Sequence, residues 1–130
     1  MNARDDELIQ AAREVRQRSY SPYSGFAVGA ALRGKSGKIY TGTNVENASY
    51  PLTICAERAA VCKALSEGEQ EFEALAVVSR TGATPCGACR QVLAEFGTDI
   101  RVLIADAHAC LGAHTVAELL PHGFDRSKLA

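Results

Sequence analysis

Apolar positions recur at helical spacing near the start of the chain, where Leu8, Ile9, Ala11, Ala12 and Val15 fall within residues 5–18. The stretch YSPYSG then ends the pattern with proline and glycine. Two runs, FAVGAAL over 26–32 and KIYTGTNV over 38–45, read as strands joined in a hairpin through the glycine-rich RGKSG. A second helix is predicted over 55–67, closed by Gly68. EALAVVS, 73–79, is an apolar run of the length of a buried strand, and Cys89, Val92, Leu93 and Phe96 then mark a third helix that Gly97 terminates. A strand over 100–106 and a short helix over 116–120 complete the order. Strands alternating with helices after a hairpin predict an α/β layered domain whose mixed sheet is covered on both faces. No internal repeat or linker interrupts it, so residues 1–130 are read as one domain.

Composition narrows the partners. Fourteen Lys and Arg against 15 Asp and Glu give a net charge of −1, so no basic field exists to hold a polynucleotide, and a small, weakly charged ligand is expected. The first 19 residues carry no apolar run between their charges, and no stretch approaches membrane-spanning length. A cytoplasmic protein without a membrane partner is therefore expected. In that compartment the five cysteines, Cys55, Cys62, Cys86, Cys89 and Cys110, are metal ligands, catalytic groups or buried thiols rather than a disulfide framework.

Two motif matches fail on context. GAALRGKS, 29–36, fits the phosphate-loop pattern but lies between two predicted strands, with no helix N-terminus to receive a phosphate. Asn47 in NAS is a glycosylation acceptor only for a secreted chain.

The cysteines allow three readings. Cys86 and Cys89 alone suit a redox dithiol. A closed structural zinc site needs a fourth ligand, which no obvious spacing supplies. Cys55, also opening a helix, makes three ligands, and three ligands with an open position describe a catalytic zinc. If the two helices start side by side, Cys55, Cys86 and Cys89 converge on one metal and Glu57 leans over the vacant position, where an activated water can attack and a carboxylate can carry its proton. Three thiolates make a poor Lewis acid of a dication. Two helix N-termini and a hydrogen bond from Arg58 to a cysteine sulfur are expected to withdraw that charge.

CxE followed by PCxxC resembles the signature of the zinc nucleobase and nucleoside deaminases, here in an all-cysteine variant. SPYSGFAVGAAL, GTNVENASYP, CAERAA, PCGACRQVLAEF and ELLPHGF resemble, in order and spacing, the small homotetrameric cytidine deaminases over nearly the whole chain. That resemblance implies a three-layer α/β/α fold with a five-stranded mixed sheet, and one Zn2+ per chain on Cys55, Cys86 and Cys89. It implies Glu57 as general acid/base and attack of a zinc-activated water on C4 of cytidine or 2'-deoxycytidine in pyrimidine salvage. Phe26 would stack on the pyrimidine, Asn44 and Glu46 would hold the ribose 3'-hydroxyl, and Ala56 would also contact substrate. Ala48, Tyr50 and Phe124 match positions that complete a neighbouring subunit's pocket, which implies a homotetramer with shared active sites.

Several residues keep ordinary readings. Cys62 and Cys110 are read as small buried or unligated thiols, and His108, His114 and His122 as surface or loop residues after the last strand. Arg90 and Gln91 are expected in structural hydrogen bonds or a subunit contact. The segment DAHACLGAHTVAELL departs most from the family pattern. A blasticidin-type deaminase is the nearest alternative within the fold, and a redox or structural zinc protein the alternative outside it.

Overall fold

The computed structural model describes residues 2–129. Its elements run α1 (Ala3–Arg16), β1 (Gly29–Gly34), β2 (Ile39–Thr43), α2 (Ala56–Ser66), β3 (Phe72–Val78), α3 (Gly87–Phe96), β4 (Arg101–Ala105), β5 (Cys110–Thr115) and α4 (Val116–Leu119). The five strands form one mixed sheet in the order β2-β1-β3-β4-β5, in which only β3 and β4 pair in parallel. Among the described residues, no helix is long and apolar enough to cross a membrane.

The α1 helix starts on Asn2, whose side chain caps the amide of Asp5, with acids in its first turn and arginines in its last, as the helix dipole favours. Leu8, Ile9 and Ala12 pack on one face of the sheet against Ala31, Ala74, Ala76, Val78 and Leu103. The other face meets α2 and α3 through Ala56, Ala60, Val61, Ala64 and Leu93, packed on Leu32, Leu75, Val77 and Val102. This is the expected three-layer α/β/α arrangement with a five-stranded sheet. Central β3 is apolar on both faces for that reason.

Two glycines set how closely the layers approach. A Cβ at Gly29 would lie 2.1 Å from the Ala12 carbonyl oxygen of α1, and one at Gly42 would lie 2.5 Å from the Ala60 amide nitrogen of α2. Each strand thus admits a helix backbone where any side chain would hold it away.

The structure corrects three readings. The α1 helix begins and ends about two residues earlier than its apolar spacing suggested. Phe26 is not a strand residue: β1 begins at Gly29, because the amide of Val28 and the carbonyl of Phe26 are bonded by the side chain of Asn44 instead of a ladder partner. A fifth strand, β5, lies where no strand was read from the apolar pattern. It is an edge strand reached through a tight turn in which the Asp106 carboxylate accepts from the amides of His108 and Ala109, and His114 belongs to it rather than to a loop. β1 also disposes of the phosphate-loop match, since its residues are paired on both sides.

Candidate active site

Topology brings the cysteines together. Both β2 and β3 run antiparallel to β1, so they point the same way, and the helices that follow them start at the same end of the sheet. Cys55 is the N-cap of α2 and Cys86 the N-cap of α3, each with extended backbone, and Cys89 lies in the first turn of α3. The Sγ atoms of Cys55, Cys86 and Cys89 all lie within 4.8 Å of one another, with Cys55 and Cys86 3.9 Å apart. A tetrahedral zinc with Zn–S bonds of about 2.3 Å places its sulfurs about 3.8 Å apart, so this donor set fits a single zinc ion. Cys62 and Cys110 stand outside the cluster, and Cys62, read as a buried thiol, is exposed on α2.

Charge is divided unequally between Cys55 and Cys89. Hydrogen bonding from the Cys89 thiol, aided by Arg58 and Cys86 and opposed by burial, lowers the Cys55 thiol to about 5. The same pairing with Cys55, together with burial, pushes Cys89 up. Cys55 is therefore ready as a thiolate, and Cys89 gives up its proton when a metal takes its place. The predicted charge-withdrawing contact is present: Nη2 of Arg58 donates to Cys55 Sγ at 3.5 Å. The buried Nε of Arg58 has no acceptor among the described residues.

Glu57, the second residue of α2, is only 6% exposed and is not one of the clustered ligands. Burial raises its carboxyl above the usual range, with the nearby Cys55 adding to the effect. A carboxyl held toward its protonated form and free of metal can hold and deliver a proton.

Cys55, Cys86 and Glu57 line a cleft of about 290 Å³, whose walls also include Phe26, Asn44, Glu46 and Ala56, with Cys89 buried behind them. Asn44 is largely occupied by the framework: Oδ1 accepts from Ser19 Oγ and the Val28 amide, and Nδ2 donates to the Phe26 carbonyl. Glu46 accepts from the amides of Tyr23 and Ser24 and from the Ser24 hydroxyl, which lowers its pKa. Phe26 presents its ring to the guanidinium of Arg80, 5.4 Å from the ring centroid. An outer cavity sharing Ser24, Glu46 and Thr53 with the cleft is lined by Tyr50. Ala48 and Phe124 line neither and are exposed.

Sequence reasoning missed Ser79 and Thr84 in the cleft wall. Ser79 is fully buried and its hydroxyl accepts the Ala83 amide, shaping the loop that leads to Cys86. A polar residue ending the apolar run EALAVVS was the available signal. Arg90 and Gln91 make the structural hydrogen bonds expected of them. Arg90 donates to the carbonyls of Pro85 and Leu119 and to the Thr84 hydroxyl, and Gln91 donates to the Phe124 carbonyl.

Comparison with known proteins bears on this geometry. The family model for the cytidine and deoxycytidylate deaminase zinc-binding region matches residues 2–105. The cytidine deaminase of Sporosarcina psychrophila is 45% identical over 128 residues, spanning 96% of this chain and 94% of its own. That of Halalkalibacterium halodurans is 49% identical over 120 residues, 90% of this chain and 91% of its own. The crystal structure of cytidine deaminase from Burkholderia pseudomallei superposes with a TM-score of 0.89 at 43% identity, covering 95% of this chain and all of that one.

Proposed function

The chain belongs to the cytidine and deoxycytidylate deaminase zinc-binding family, and from that premise we propose that it converts cytidine and 2'-deoxycytidine to uridine and 2'-deoxyuridine by hydrolysis, releasing ammonia. The observation that carries this reading is a cluster of three sulfurs, two of which line a cleft of small-molecule size together with one buried, unligated carboxyl. Cys55, Cys86 and Cys89 would hold one zinc ion per chain. Bound zinc supplies Lewis acidity that brings the ionisation of water toward neutral pH.

The protein's own groups supply the rest. Glu57 takes a proton from the attacking water, passes it to N3 of the pyrimidine, and then assists departure of the C4 amine. Burial raises its carboxyl above an ordinary glutamate's, the direction a proton shuttle needs. Phe26 offers a ring face to the base, while Ala56, fully buried at the first position of α2, leaves room beneath it. Asn44 and Glu46 hold the sugar 3'-hydroxyl, Asn44 through the Nδ2 hydrogen its framework bonds leave over. Arg58 tempers the sulfur charge. Ala48, Tyr50 and Phe124 complete the pocket of a neighbouring subunit in a cytoplasmic homotetramer serving pyrimidine salvage, with residues 1–130 as one catalytic domain.

Ammonia release from the zinc-loaded protein tests the proposal, with cytidine, 2'-deoxycytidine, CMP and blasticidin S run in parallel. Turnover of the two nucleosides alone is expected, and Glu57→Gln is expected to keep its zinc while losing roughly 10²- to 10⁴-fold in rate. Turnover of blasticidin S alone would replace the substrate. Equal rates for Glu57→Gln and wild type would remove the enzyme reading.

A further inference from the structure

On the sheet face opposite the sulfur cluster, the last turns of α1 border a cavity of about 520 Å³. It shares no lining residue with the deaminase cleft. Arg13 and Arg16, three positions apart on the helix, both line it, alongside Gln17, Ser19 and an apolar wall that includes Val78 and Ala107.

Each guanidinium is clamped by its Nε to a main-chain carbonyl from another part of the chain. Arg13 Nε donates to the Asp106 carbonyl at 3.1 Å and Arg16 Nε to the Ala27 carbonyl at 2.9 Å. The Nη groups are less engaged. Arg13 Nη1 has a 3.4 Å contact with Gln10 Oε1, while Arg13 Nη2 and both Nη atoms of Arg16 have no acceptor among the described residues. Neither arginine joins an ion pair among those residues, and no carboxylate-bearing residue lines the cavity. The carboxylate of Asp106 feels the Arg13 charge, but it makes its hydrogen bonds to the His108 and Ala109 amides and does not line the cavity.

Two fixed guanidinium groups with spare donors, in a cavity without acids, match the oxygens of a phosphate group, which they can grip in bidentate fashion. We propose that this cavity is a second ligand site, for a small phosphate-bearing anion, independent of the deaminase cleft. The volume admits more than inorganic phosphate, and the apolar wall suits an organic portion. The site also adjoins the cleft through the backbone. Ala27 and Val78 line this cavity, while their neighbours Phe26, Val28, Val77 and Ser79 line the cleft.

Isothermal titration of the zinc-loaded protein with magnesium-free pyrophosphate and, separately, ADP tests this without reference to turnover. Saturable binding of at least one of them at one site per chain is expected, weakening as salt is raised. Arg13→Gln, which removes one guanidinium with its contacts to the Asp106 carbonyl and to Gln10, is expected to weaken binding at least tenfold while leaving zinc content and thermal melting unchanged. Arg16→Gln provides a second variant with the same expectation for binding, its folding checked by the same melt. Binding by ADP and not pyrophosphate would assign the apolar wall a part in recognition. No binding of either probe at millimolar concentration would overturn the proposal. So would binding that both variants leave intact, or malonate binding as tightly as the phosphates.

Discussion

At the sulfur end of the cleft, Ala56, Glu57 and Cys89 are buried beneath two helix N-termini. Away from that end, Tyr50 of the outer cavity and Phe124, which lines neither cavity, stand 69% and 56% exposed. The inner end is built from consecutive elements of one sheet, and the strand directions alone bring its parts together. Tyr50 opens a short 3-10 turn and Phe124 lies in the C-terminal segment, and both side chains are left open to solvent by the chain itself. Val45, Leu52 and Ile54 are exposed beside Tyr50 in sequence, so the apolar surface continues along this segment. Exposed apolar surface of that kind marks a contact with something outside the chain. The three clustered sulfurs thus come from one chain, whereas the apolar surface around Tyr50 is left open by it, as the proposed homotetramer would require.

The largest expected effect breaks the inner end. Cys89→Ser removes a buried ligand in the first turn of α3, and with two sulfurs remaining the chain should purify with little zinc and lose roughly 10³-fold or more in turnover. Metal analysis beside a rate assay checks it. Full zinc occupancy in Cys89→Ser would separate the cluster from the metal and undo the contrast drawn above.

Arg58→Gln is the next largest. It deletes the donor to Cys55 while leaving all three sulfurs, so zinc affinity or turnover should fall about 10- to 100-fold, as for other groups that act through a metal's ligands. A chelator competition gives the affinity. An unchanged rate and affinity would make Arg58 a surface arginine with no electrical task.

These two regions were not equally legible in the sequence. Cys55, Cys86, Cys89, Glu57 and Arg58 could be read from spacing because helix-terminal positions fix where a side chain points, and a metal demands a known number of ligands. The resemblance supplied the exposed aromatics and the fifth strand, and local pattern supplied neither. β5 escaped because CLGAHT has no apolar alternation: it is an edge strand with one side to solvent, and its register comes from β4 and the Asp106 turn. Phe26 looked like a strand residue because nothing local reveals that Asn44, 18 positions later, claims its carbonyl. Gly42 carried a signal that went unread, since only a helix backbone in contact explains a glycine within that strand.

At the exposed aromatics a smaller effect is expected. Tyr50→Ala and Phe124→Ala should each keep zinc and raise KM severalfold with little change in kcat, because neither touches the sulfurs or Glu57. Light scattering on the same samples separates two causes. A tetramer with raised KM places the side chain against substrate, and a dissociated one places it in the contact between chains. A fully active monomer in either case would refute the shared pocket.

The smallest effect on activity should come from the scaffold beneath both regions. Asp5, 4% exposed on α1, accepts from Nη1 and Nη2 of Arg101 on β4 at 3.2 and 2.7 Å. The Arg101 hydrogen bonds hold its carboxyl below the ordinary 3.8 of an aspartate. A carboxyl whose pKa is lowered by folding contributes stability that is whole above its unfolded pKa and is lost as pH falls through the folded one. Asp5→Asn should therefore cost about 1–2 kcal/mol near neutral pH, less than for a fully buried pair because Arg101 is partly solvated. In urea melts, the gap between variant and wild type should close as pH falls below the ordinary aspartate value, while zinc content and turnover at neutral pH stay unchanged. A loss of turnover with zinc and stability intact would mean that the α1 face acts on the cleft from across the sheet, and the inner end could then no longer be treated as self-contained.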